Sequence, residues 1–471
     1  MTRLTLALVM AAGLLVGCTL EPHYQRPPPP VSAVFPTGPS YGVPTDVSVA
    51  DWGQVFPDPK LSRVIQQALA NSRDLRVAIA QIQASRAQYR VQRAALLPTI
   101  DASAGAVTGR DFTGFPSSLG APYANETTYS ASVATTAYEL DLFGRVRSLT
   151  KAALQTYLAT EAARRSTQIS LVAEVASDYL TFASDSSLLE VSKSTVISAQ
   201  ANYDLTRRRL SGGISSQLDV SSARTTVEQA KDDVARYTTQ VAQDKNALDL
   251  VVGARVDTDN LPSGIDDSAA RLGEVAGALD SRILLQRPDV LEAERTLRSA
   301  NASIGAARAA FFPSISLTGS GGTESASISS MFSGGTGVWS FAPTISVPIF
   351  DGGANRGNLD YARAEDRIAV AQYEKAIQTA FREVADALAQ RGTIAERLRA
   401  QRAEVAAGAE SLHLAEALYA RGSDSYLDVL TAQRFYYSAE QSLISLRLVE
   451  AANIVTLYKV LGGGLADRAG G

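Results

Sequence analysis

The chain repeats itself. Gly213, Leu218, Asp219, Val220 and Gly253 recur as Gly422, Leu427, Asp428, Val429 and Gly462, a constant shift of 209 within 471 residues. Upstream, AALLPTID at 94–101 recurs as AAFFPSIS at 309–316 with a shift of 215, and Phe143 recurs as Phe350 with a shift of 207. Loop insertions make a register slip in this way. The fold must therefore hold two copies of one supersecondary unit.

Proline shows what that unit contains. Ten of the 18 prolines lie between Pro22 and Pro59, and none occurs from Tyr123 to Leu261 or after Pro348. The first stretch is expected to be extended and the other two are free to be helix, since proline breaks helix interiors. Both proline-free stretches carry apolar residues at heptad-like spacing, such as Leu189, Val196 and Tyr203, or Leu398, Val405 and Leu412. Long coiled-coil helices are predicted at 145–210, 216–252, 354–421 and 425–461. At 1.5 Å per residue the first would run on the order of 100 Å.

Between these helices the pattern changes to period two. In WSFAPTISVPIF, Trp339, Phe341, Pro343, Ile345, Val347 and Ile349 fall on one face, and Ser340, Ala342, Thr344, Ser346 and Pro348 on the other. Ile315, Leu317 and Gly319 alternate with Ser314, Ser316 and Thr318, and Tyr129, Ala131, Val133 and Ala137 with Ser130, Ser132, Thr136 and Tyr138. Strands are predicted at 98–109, 128–141, 313–320 and 338–350. An apolar face opposite a small or polar one suits a membrane barrel around water, although a half-buried sandwich edge has the same alternation. Four strands cannot close a barrel, and open edges in lipid leave backbone groups unsatisfied. Several copies must share one: two copies give eight strands, with an interior filled by side chains, and three give twelve and a lumen.

Cys18 is the only cysteine, so it can form no disulfide within the chain. Arg3, the apolar run Leu4 to Val16 and the small Gly17 read as a secretory signal peptide at 1–17, too short to span a bilayer. Leu15-Val16-Gly17-Cys18 is similar to the bacterial lipobox, which makes Cys18 an acylated first residue, and Thr19 after it favours the outer membrane. Cys18 is expected to anchor the chain without shaping the barrel, because the strands and helices lie far along the sequence from it. Removing residues 1–17 takes Arg3 from the 44 basic residues and leaves 43 against 48 acidic ones, a net charge of −5, which argues against a nucleic-acid partner. With two histidines, no CxxC and no HExxH, the sequence proposes no metal site and no enzyme chemistry, and no cofactor beyond the lipid on Cys18. The remaining organisation is a lipidated Pro-rich segment at 18–58, repeat 1 at 59–262, a linker at 263–284, repeat 2 at 285–462 and a tail at 463–471.

CTLEPHYQRP at 18–27, RPDVLEAERTLRSANASIGAARAAFFPSISLTG at 287–319, AQYEKAIQTAFREVADAL at 371–388 and YKVLGGG at 458–464 resemble the TolC-like outer membrane efflux channels, closely their OprM-type lipoprotein branch. The resemblance implies a mixed α+β membrane protein. Three chains would form a twelve-stranded outer membrane barrel, continued by a periplasmic barrel of long helices with an equatorial belt. It implies a homotrimer that works with a periplasmic adaptor and an inner membrane pump of the resistance-nodulation-division class, passing drugs or other small compounds outward. A type I protein secretion duct is the alternative within the fold, and a structural coiled-coil lipoprotein the alternative outside it. Methionine is the usual soft ligand for Cu(I) and Ag(I), and only Met331 survives cleavage, which speaks against a dedicated copper or silver duct.

The same resemblance places the two helix turns at the periplasmic tip. Gly212, Gly213 and Ser216 in the first, and Gly422 and Ser425 in the second, would meet the adaptor. Leu427 and Asp428 would gather near the pore axis, with Asp219, Asp424 and Tyr419 in the gate. Asp424 stands where TolC has an arginine that pairs with a tip aspartate, so that lock is not expected here. From spacing alone, Ser216 with Asp219 and Ser425 with Asp428 are equivalent capping boxes.

Overall fold

The computed structural model describes residues 19–41, 51–112, 123–266 and 280–464. The predicted signal peptide, Cys18, most of the 263–284 linker and most of the tail lie outside them. The described helices are α1 (Trp52–Val55), α2 (Pro59–Asn71), α3 (Arg73–Ala94), α4 (Arg145–Ser211), α5 (Gln217–Val252), α6 (Pro288–Ala309), α7 (Ala354–Arg421) and α8 (Tyr426–Val460). The strands are β1 (Asp101–Phe112), β2 (Tyr123–Leu140), β3 (Ser314–Ser325) and β4 (Gly337–Ser346). Helix, two strands and two long helices thus occur twice in order, the result being a mixed α+β chain. The long helices match their predicted spans to within two residues. The strands depart further: β1 and β3 start after Pro98 and Pro313 and β4 stops before Pro348, while β4, an edge strand, keeps Pro343 inside it. β3 runs on through Gly321 and Gly322, expected as loop, since pairing on both sides satisfies that backbone. The stretch predicted as an extended segment at 18–58 contains the short α1.

Two compact units divide the chain. Among the described residues the first comprises 19–27, 82–112, 123–160 and 293–373 and holds an antiparallel sheet in the order β1-β2-β3-β4. Cross-strand partners share a face, so the register sorts the side chains. Ala102, Val133, Gly321 and Trp339 form one row, and Leu317 with Pro343 and Ile315 with Ile345 continue that face. Asp101, Ala134, Ser320 and Ser340 form a row on the other. Trp339 is 82% exposed and Ile345 68%. One expectation fails, the place of Tyr138 on the polar face. A bulge between Thr135 and Tyr138, with Ala137 at φ 53, inserts an extra residue and brings Tyr138 opposite Leu317 on the apolar face.

Residues 19–26 are strapped to this unit. The Glu294 carboxylate, 5% exposed, accepts from Arg26 Nη2 at 2.6 Å and Nε at 3.1 Å, from Arg298 Nη2 at 2.7 Å and from the Tyr24 hydroxyl at 3.3 Å. Lys151 pairs with Glu21 at 2.8 Å, and Arg308 donates to the Leu20 carbonyl at 3.2 Å. Gly305 is required beneath it, since a Cβ there would sit 2.8 Å from the Cα of Glu21. Sequence distance from Cys18 is therefore not spatial distance: the chain next to it lies on α4 and α6.

The second unit comprises 28–81, 161–292 and 374–471. Its core includes Tyr179, Leu248, Ile265, Leu284, Ile377 and Leu457, each under 2% exposed. Phe56 meets Tyr458 edge-on, and Phe35 stacks on Phe381. The buried Arg287 guanidinium binds Asp289 through two donors, Glu383 at 2.8 Å and the Val460 carbonyl at 2.8 Å, tying the start of α6 to α7 and the end of α8.

Candidate functional site

Within the second unit, α4 turns into α5 and α7 into α8. Gly213 at φ +74 ends α4: its N–H donates to the Leu210 carbonyl, and that of Ile214 donates to Arg209. Gly422 at φ +79 does the same for α7, with its own N–H on Tyr419 and that of Ser423 on Leu418. Left-handed glycines at these positions close each helix sharply.

The helices that follow begin differently. Ser216 forms the expected capping box: its hydroxyl accepts from Asp219 N at 3.1 Å, and its N–H donates to Asp219 Oδ2 at 2.9 Å. Ser425 does not form the second one. Its hydroxyl donates to Asp428 Oδ2 at 2.5 Å, and no side-chain cap reaches the backbone. The Ser216 hydroxyl also donates to its carboxylate, at 2.8 Å, so S-x-x-D spacing brings serine and aspartate together in both turns but leaves open whether the helix backbone is capped. The half-buried Asp219 is thus committed to its helix, whereas Asp428 is exposed and free of capping duty.

Tyr419 joins the two turns. Only 6% exposed, it shares a hydrogen bond of 3.0 Å between its hydroxyl and that of Ser215, and it donates to Thr206 at 3.5 Å. The Arg209 guanidinium donates to the Tyr419 carbonyl and lies 4.2 Å from the centre of its ring, a cation–π contact. The Tyr426 ring packs 5.5 Å away within a cluster that includes Ala223, Ala415 and Val429. Burial, and then the neighbouring Tyr419, push the Tyr426 hydroxyl up to about 12, so the Tyr426 ring stays neutral and acts as packing. Farther along, Asn202 of α4 donates to Glu416 of α7 at 3.1 Å.

Arg209, Thr206, Ser215 and Tyr426 join the junction without having been expected there. Arg209 ends the run Arg207-Arg208-Arg209 in the last helical turn, where a cation already suits the helix dipole, so nothing in the sequence marks it as a bridging residue. Of the expected gate residues, Tyr419 sits inside this junction and Asp219 beside it. Leu427, 65% exposed, Asp428 and Asp424 face outward, and no ion pair reaches either aspartate among the described residues. Gly212, Gly213, Ser216, Gly422 and Ser425 are all exposed on the turns.

A family profile described as outer membrane efflux protein matches residues 64–254 and 279–463. The antibiotic efflux pump outer membrane protein ArpC of Pseudomonas putida is 48% identical over 100% of this chain and 97% of its own. The toluene efflux pump outer membrane protein TtgC, also of P. putida, is 47% identical over the same shares. Among solved structures, a membrane protein from Pseudomonas aeruginosa superposes with a TM-score of 0.86 at 41% identity, covering 95% of this chain and 98% of that one.

Proposed function

The chain belongs to the outer membrane efflux protein family, the TolC-like channels, and on that premise we propose that three copies form the outer membrane duct through which an inner membrane pump and its periplasmic adaptor discharge small organic compounds. As an outer membrane exit duct it performs no catalysis. The sheet carries the trimeric reading: β1 and β4 are edges without a partner among the described strands, and one face is apolar and exposed. Pairing β4 of one copy with β1 of the next leaves no edge in lipid. The apolar face then meets acyl chains, and the serine-rich face meets water.

The cargo is read as drugs and organic solvents, because relatives named for antibiotic and toluene efflux are close to half identical along the whole chain. An inner membrane partner of the proton-driven resistance-nodulation-division class fits that cargo. Affinity capture yielding only an ABC exporter would replace it with the type I arrangement.

The two turns are assigned as the gate, with Leu427 and Asp428 as its narrowest ring. The support is the contrast between paired aspartates: Asp219 is spent on a capping box, while Asp428 is exposed and uncapped. Three Asp428 carboxylates about one axis would favour cations. In planar bilayers Asp428→Ala should lose cation selectivity and keep its helix stability. Asp219→Ala should keep selectivity and lose about 1 kcal/mol of stability. Equal loss of selectivity in both variants would remove Asp428 from the ring.

Cys18 is assigned as the lipid attachment site. The strap beside it is held by protein groups alone, so a correctly exported Cys18→Ser protein should lose acylation and retain trimers and export. Loss of the trimer in that variant would make the lipid a structural part.

A further inference from the structure

The internal repeat carries a contact inside the chain onto the surface between chains. Where β2 leaves the sheet, Phe143 stacks on Phe312, two residues before β3, with ring centres 4.8 Å apart and planes 24° apart. The repeat relates Phe143 to Phe350, just after β4, and Phe312 to Leu97, just before β1. Phe143 is half-buried by its contact, whereas Phe350 is 92% exposed, Ile349 97% and Leu97 70%. The backbone just after Phe350 is nonetheless pinned. The Asp351 carboxylate after it accepts from Gly353 N at 2.8 Å and Asn355 N at 2.9 Å, and Asn355 in turn donates to the Ala310 carbonyl at 3.3 Å. Beside Leu97 lies a groove of about 380 Å³ lined by Arg90, Arg93, Ala94, Leu96 and Leu97. Ala94 and Leu97 are the repeat counterparts of Ala309 and Phe312, which line the hollow around Phe143.

We propose that Phe350 of one copy stacks on Leu97 of the next, in the groove between Arg90 and Leu97, as Phe143 stacks on Phe312 within the chain. The inference rests on the trimeric reading above. The seat's occupant is a second copy because of the strand order: β2 is followed by β3 in the chain, whereas β4 has no further partner among the described strands and the free β1 edge of another copy continues the sheet. The contact fixes the register at which the sheets join, since a slip of one residue would turn the side chains to the wrong face.

Cysteine pairing tests this cleanly, because the chain has no cysteine besides Cys18. In a Cys18→Ser background, Leu97→Cys with Phe350→Cys should give dimers and trimers on non-reducing denaturing gels after mild oxidation, and each single variant should run as monomer. Disulfides demand Cβ atoms about 4 Å apart, so a short bis-maleimide linker is the second, more tolerant measurement. Light scattering on the same detergent-solubilised samples reports the assembly. A trimer by light scattering that yields no ladder with either reagent would overturn the Phe350 seat and leave the trimer standing. The absence of any trimer would overturn both readings.

Discussion

Arg209→Ala is expected to open the duct at rest. The substitution removes a charge-assisted hydrogen bond to the Tyr419 carbonyl and the cation–π contact with its ring, two of the links by which the end of α4 holds the end of α7. Together these contribute about 3 kcal/mol to the joined turn pair; with the joined turns as the closed form of the proposed gate, that corresponds to roughly a hundredfold change in the closed-to-open ratio. A contrary term is already present: Arg209 Nε is buried without a hydrogen-bond partner, so the closed junction is stabilised less than its contacts suggest. Tyr419→Phe keeps both Arg209 contacts and loses only the hydroxyl bonds to Ser215 and Thr206, about 1 kcal/mol. Single-channel recordings should therefore rank the open fraction as Arg209→Ala, then Tyr419→Phe, then wild type, and intact cells should admit a bulky antibiotic in the same order. A correctly assembled Arg209→Ala trimer that conducts like wild type would take Arg209 out of the gate.

The second large effect is expected at Glu294. Its carboxylate is the common acceptor for Arg26, Arg298 and Tyr24, so Glu294→Ala leaves two guanidiniums facing each other. Breaking a buried pair costs about 3–5 kcal/mol. Here Arg26 is 43% exposed and Arg298 34%, and their hydration reduces the loss to about 2 kcal/mol. Residues 19–27 should then exchange amide hydrogens far faster, with the rest of the chain unaffected.

Acid should act in the same direction. Burial pushes the Glu294 carboxyl up, but the hydrogen bonds and charges of Arg26 and Arg298 outweigh it and hold the group below the usual glutamate range. A depressed carboxyl stabilises the strap fully above its unfolded value near 4.3 and loses that contribution as pH falls through the folded value. Strap protection should collapse below about pH 4 in wild type, whereas Glu294→Gln should show no such step. Protection that falls identically in the two proteins would assign the acid effect to another group.

These predictions rest on features that differ in how far the sequence discloses them. The long helices were legible because heptads, missing prolines and left-handed glycines at Gly213 and Gly422 all act locally. The sheet faces were legible for the same reason, up to Ala137, where a bulge has no residue signature and reverses Tyr138. The strap was not legible, since Arg26 and Glu294 lie far apart in the chain and only the folded unit brings them together. Nor was the difference between Ser216 and Ser425, where one pattern serves two hydrogen-bonding roles.

The hydroxyls on the polar face of the sheet are turned toward one another. Ser103 bonds Ser132 across β1 and β2 at 3.2 Å, and Ser320 bonds Ser340 across β3 and β4 at 2.7 Å. A hydroxyl already engaged by its neighbour offers a passing solute little directional grip, and the small side chains around it form no niche. As the wall of the proposed duct, this face would exert low friction on chemically unlike cargo and discriminate by width and charge. A change in what the cell expels would then need substitutions in the pump and none in this lining, which would let one conduit serve several transporters.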